Sequence, residues 1–84
     1  DPSGQIGLPS PIINVYPNPS NGLFIIEHNL NNPVLEIFSI DGKLVFSDRL
    51  NALKNRINTQ LPNGLYNLKL TDNENVMYSK LILE

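Results

Sequence analysis

Catalysis needs reactive groups brought together, and this sequence offers few. Among its eight carboxylates, Asp41 and Asp72 fall in turn-like stretches, and Glu27, Glu36 and Asp48 fall in strand-like ones whose alternation points them to solvent. A glycosidase would need two carboxylates facing each other across a cleft. Solvated surface charge is the simpler reading. Nucleophilic catalysis would need a serine beside His28 and an acid to orient the ring. Ser39, Ser47 and Ser79 lie in strand-like segments without a G-x-S-x-G elbow. His28, the single histidine, ends an apolar run beside a turn and is expected at an exposed or partly exposed edge. Without cysteine there is no thiol nucleophile, disulfide or thiolate metal ligand, and one imidazole cannot pair around a metal. Asp72-Asn73-Glu74-Asn75 gathers the oxygen ligands calcium prefers, but without the spacing or glycine of an EF-hand loop. Asp and Asn are explained there by their tolerance of left-handed backbone in turns. The chain is expected to be no enzyme and to carry no metal or other cofactor.

Sugar binding is the remaining small-molecule chemistry. The aromatics are Tyr16, Phe24, Phe38, Phe46, Tyr66 and Tyr78, with no Trp. Six such side chains barely fill a core of this size, so they are assigned to it, with Tyr78 and Phe38 the exceptions. A carbohydrate-binding or adhesive accessory module of an extracellular enzyme therefore stands as the alternative reading. Asn18-Pro19-Ser20 is no glycosylation acceptor, because proline occupies its middle position.

Length and composition set the frame. The chain has 84 residues, enough for one small core and not for two. An apolar fraction of 40% with 17% charged residues is that of a folded domain rather than a disordered tail. Net charge is −2 with only six basic residues, so no electrostatic footprint for nucleic acid is present. No apolar run approaches the length of a membrane span, and no membrane insertion is expected. The chain opens Asp1-Pro2-Ser3 without a signal peptide and is read as the C-terminal piece of a longer protein. At about 0.05–0.15 kcal/mol per residue the fold is worth about 4–13 kcal/mol, which leaves little for a strained active site.

The organisation is a linker followed by strands. Residues 1–11 contain Pro2, Pro9 and Pro11 with glycine and serine between them, and read as a semi-extended linker. Residues 12–84 show no sustained helical period, and their abundant asparagines cluster where turns are expected. Seven strands are predicted: Ile12–Tyr16, Leu23–His28, Val34–Ile40, Lys43–Leu50, Asn55–Asn58, Leu65–Thr71 and Val76–Leu83. Phe24 and Ile26 face inward in the second, and Tyr66, Leu68 and Leu70 share one face of the sixth. In the third and seventh, both faces carry apolar residues and either could point inward. Asp41-Gly42 predicts a type I′ hairpin with positive φ at both centres. Pro62-Asn63-Gly64 predicts a turn with Gly64 in the left-handed region. The fold class is all-β: a small antiparallel seven-stranded β-sandwich, Ig-like in architecture.

The turns are most informative as a set. Val15-Tyr16-Pro17-Asn18-Pro19-Ser20-Asn21-Gly22 is followed by Ile37-Phe38-Ser39-Ile40-Asp41-Gly42-Lys43-Leu44-Val45. Next come Ile57 to Leu65-Tyr66, with Leu61-Pro62-Asn63-Gly64 inside, and a final Lys80-Leu81-Ile82-Leu83. Their order and spacing resemble the type A C-terminal sorting domain of type IX secretion, the Por secretion tail family, from about Ile12 to Glu84. The resemblance implies a C-terminal secretion and sorting signal on a larger cargo of a Gram-negative bacterium. That cargo would reach the cell surface or medium via the periplasm. Implied partners are the type IX translocon, an outer-membrane β-barrel shuttle, a sortase-like cysteine peptidase that cleaves the domain off, and the N-terminal cargo domain. Carried over residue by residue, the motifs are Pro17, Asn18, Pro19 and Gly22; Asp41, Gly42 and Lys43; Gly64 and Tyr66; and Lys80. Ser79 stands where the last motif often has a second basic residue.

Two physical routes to recognition are expected. A partner can add a strand to a sheet edge or exchange one with it, and the seventh strand is expected to be able to peel away without disturbing any downstream segment. Alternatively the motif glycines and prolines shape turns, and Lys43 and Lys80 on the resulting surface make the contacts.

Overall fold

The computed structural model describes Pro11–Glu84; the expected linker lies outside the described residues except for Pro11. The strands are β1 (Ile13–Tyr16), β2 (Leu23–His28), β3 (Val34–Ser39), β4 (Leu44–Arg49), β5 (Lys54–Asn58), β6 (Gly64–Thr71) and β7 (Val76–Leu83). They form a three-stranded sheet in the order β1-β2-β5 and a four-stranded sheet in the order β4-β3-β6-β7, every pair antiparallel. The all-β sandwich and its seven strands match the expectation, with β2 and β7 ending as predicted.

One core lies between the sheets. Phe24, Ile26 and Ile57 enter it from one side, and Leu35, Ile37, Tyr66, Leu68, Leu70, Leu81 and Leu83 from the other. The inward faces left open in β3 and β7 are thus those of Leu35 with Ile37 and of Leu81 with Leu83. Period-two alternation places their neighbours outside.

Several local expectations are corrected. His28 is buried, with only 4% of its surface exposed, because it continues the inward row of Phe24 and Ile26. Its Nδ1 accepts the Leu30 N–H at 3.1 Å, so the ring caps the turn that follows β2. Tyr16 points outward and is 36% exposed, joining Tyr78 outside the core. The β3–β4 hairpin is not type I′: Gly42 has φ +89° and Asp41 has no positive φ. Gly42 donates to the Ser39 carbonyl at 2.9 Å and Ser39 to that of Lys43 at 2.8 Å, a loop of Ile40, Asp41 and Gly42. Such a loop requires left-handed backbone only at its last residue. Gly64 is no left-handed turn residue either, since it opens β6 at φ +156°.

The sandwich has two poles. Its entry pole holds Ile12, whose N–H bonds Asn29 Oδ1 at 2.9 Å, and the β6–β7 turn, where Asp72 Oδ2 accepts the Asn31 N–H at 3.1 Å. The other pole holds the β3–β4 hairpin, the start of β6 and the end of β7, as the pairs Ser39↔Tyr66 and Gly64↔Leu83 require. The eight residues of β7 separate the poles by about 25 Å.

Candidate functional site

The four sequence motifs, scattered over the chain, meet at the pole opposite Ile12. Pro17–Ser20 carries the chain from the end of β1 to the outer edge of β7, across cis peptide bonds at Tyr16-Pro17 and Asn18-Pro19. There Asn18 takes the place of a strand residue. Its Nδ2 donates to the Lys80 carbonyl at 2.8 Å and its Oδ1 accepts the Ile82 N–H at 2.9 Å. One residue beyond Pro19 the backbone itself takes over. Ser20 N–H bonds the Ile82 carbonyl and Glu84 N–H bonds the Ser20 carbonyl, both at 2.8 Å, in a parallel bridge. The first and last motifs are therefore one hydrogen-bonded unit. From Lys80 to Leu83 β7 is bonded along both edges, so its release must break the bonds to Asn18 and Ser20 as well as those to β6.

Ser20 and Thr59 complete that unit; Ser20 is legible as part of the first motif's turn, whereas nothing local marks Thr59. Buried Ser20 donates through Oγ to the Leu23 carbonyl and accepts the Gly22 N–H, a local serine turn whose spacing is visible in the sequence. Thr59 bonds the Gly22 carbonyl through its N–H at 2.8 Å and its hydroxyl at 3.2 Å. Gly22 is required here, because at φ +107° a Cβ would lie 3.0 Å from the Thr59 carbonyl oxygen.

The second and third motifs are built from turn chemistry. Ser39 Oγ bonds the Asp41 carboxylate, and this hydroxyl, followed by backbone N–H groups, holds Asp41 below the usual carboxylate range. Lys43 follows Gly42 and is exposed. Gly64 lies beside Leu83, and the buried Tyr66 returns its hydroxyl to the Pro62 carbonyl at 2.6 Å, tying β6 to the turn before it. Lys80 stands opposite Asn67 on the outer face of the four-stranded sheet and is exposed. Of the ten motif residues, Gly22 and Tyr66 are buried and the others reach the surface.

The entry pole carries an acidic and amide-rich turn cluster that does not make a reactive centre. An open depression of about 410 Å³ is lined by Asn31, Asp72, Glu74 and Asn75 among others. Asp72 Oδ1 accepts the N–H groups of Glu74 and Asn75, and Oδ2 that of Asn31. These bonds, led by that of Asn31, lower the Asp72 pKa from the ordinary carboxylate value. A carboxylate with its oxygens so engaged is a turn cap and not a base. Among the described residues no group of three or more His, Asp or Glu side chains is placed to hold a metal ion.

A search of curated proteins finds no match to the chain. The family model described as the secretion system C-terminal sorting domain matches residues 14–84, from β1 through all four motifs. A family of sorting signals is not a catalytic one. Its domains interact with the type IX machinery, follow an N-terminal cargo and imply that the cargo is secreted or displayed at the cell surface. The chain belongs to the Por secretion tail family, the C-terminal sorting domains of type IX secretion.

Proposed function

We infer that this domain addresses its cargo through the folded surface around the motif pole. The reading is carried by one observation: four motifs spread over the chain converge about 25 Å from Ile12, at the end of the sandwich farther from the preceding residues. A partner can approach that pole while cargo hangs from the other. The partners are the translocon and the outer-membrane β-barrel shuttle, and export runs through the periplasm of a Gram-negative cell. A sortase-like cysteine peptidase then cuts within residues 1–11, which form the linker to the domain at 12–84. In this reading Pro17, Asn18, Pro19, Gly22, Gly42, Gly64 and Tyr66 shape the surface, while Asp41, Lys43 and Lys80 present charge on it.

Removing residues 76–84 from the cargo protein tests the proposal. The expected result is cargo retained in the periplasm, and unchanged export would end the proposal. The alternative, a carbohydrate-binding or adhesive module, has one observation in its favour: Tyr78 is 67% exposed on an open sheet face. Glycan-array binding abolished by Tyr78→Ala would establish it.

A further inference from the structure

The outer face of the four-stranded sheet is covered by no other element among the described residues, and its composition differs from that of the chain as a whole. Inward Leu35, Leu68 and Leu81 fix by alternation which residues lie on that face. Five large apolar side chains stand exposed there: Leu44, Leu65, Val76, Tyr78 and Ile82. Leu65 is paired across the strands with Ile82, and Tyr78 with Lys69. Isolated exposed apolar residues are ordinary, but several on one sheet face mark an interaction surface. The charged strand residues of the face are Arg49, Lys69 and Lys80 against Glu36, and Glu84 follows the inward Leu83 at the end of β7, which leaves cations in excess. The face is therefore positive on a chain whose net charge is −2.

We propose that this face docks on a protein surface that pairs apolar side chains with carboxylates. The inference rests on the sorting reading and names the chemistry of the partner within it. Charge complementarity selects the occupant. A second copy presenting the same face would set cations against cations, whereas an acidic apolar surface neutralises Lys69 and Lys80 and covers Tyr78 and Leu65. The face reaches the motif pole through Leu65 and Ile82, so docking there also covers Lys80 and the end of β7.

The test is made in a type IX-competent host with the full cargo protein. One strain carries Lys69→Glu with Lys80→Glu, a second carries Tyr78→Ser, and a control carries Lys54→Glu with Arg56→Glu on the opposite sheet. Exported cargo is expected to fall by about tenfold or more in the first and measurably in the second. The control should change by less than about twofold, its charges lying off the interface. Melting curves of the purified proteins must match wild type for the comparison to be read; a variant that unfolds is replaced by Lys69→Gln with Lys80→Gln. Equal export from face and control variants overturns the docking face. Deletion of residues 12–84 in the same assay reports separately on the sorting reading: export that survives it overturns both. Flotation of the purified chain with phosphatidylcholine–phosphatidylglycerol vesicles at physiological salt would assign the face to lipid and overturn the proposal. A dimer broken by Lys69→Glu would assign it to a second copy, with the same consequence.

Discussion

Asn18 and Ile82 lie 64 positions apart in the chain and are joined by a 2.9 Å hydrogen bond, from the Ile82 N–H to Asn18 Oδ1. With the bond from Asn18 Nδ2 to the Lys80 carbonyl, one side chain satisfies two backbone groups on an edge strand. Asn18→Ala is expected to destabilise the domain by about 1–2 kcal/mol, since both bonds are partly replaced by water. Denaturant titration measures this, and hydrogen exchange should quicken at the Ile82 amide. Asn18→Asp keeps the acceptor and loses the donor, and should protect Ile82 better than alanine does.

Gly22 and Gly42 both have positive φ, yet they should respond differently to alanine. Gly22→Ala combines the backbone cost with a Cβ 3.0 Å from the Thr59 carbonyl oxygen. Gly42→Ala has nothing within 4 Å and incurs the backbone cost alone. Losses of about 2–3 kcal/mol at Gly22 and about 1–2 kcal/mol at Gly42 are expected from denaturation curves.

Tyr66→Phe removes the hydroxyl that bonds the Pro62 carbonyl at 2.6 Å and leaves the ring in the core. The expected cost is about 1 kcal/mol in denaturant unfolding. The amide signals of residues 62–65 should shift more in the NMR spectrum than those of β2, because the lost bond tethers that turn alone.

Asp72 and Asp41 both have pKa values lowered in the folded state, by backbone N–H groups led by Asn31 at the first and by the Ser39 hydroxyl at the second. A carboxyl with a lowered folded pKa adds stability above its unfolded pKa, and that contribution is lost as pH falls through the folded value. Melting temperature should therefore drop on acidification below the ordinary carboxylate range. Asp72→Asn should flatten that acid limb, and a limb unchanged in the variant would remove Asp72 from the account.

Much of the fold was legible because short strands of alternating pattern leave few choices. The inward row of Tyr66, Leu68 and Leu70 follows from period two alone, and β2 and β7 end at their turn residues. His28 was misplaced because its position beside a turn suggested solvent, whereas it is the third member of the inward row of Phe24 and Ile26. The hairpin at Asp41-Gly42 was legible as a turn but not as its type, since loop length depends on the register shift between Ile37 and Phe38. The motif residues were visible as turn formers, and their resemblance to a family was readable from order and spacing. Their convergence was not, because the bonds from Asn18 and Ser20 to β7 depend on which sheet edge the chain crosses to after Tyr16.

The most direct measurement fuses residues 1–84 to an inert reporter held in the periplasm of a type IX-competent host, and follows where the reporter goes. The account predicts that the reporter leaves the periplasm for the cell surface or medium when it carries the domain, and stays when it does not. A reporter that carries the intact, folded domain and still remains periplasmic would contradict it.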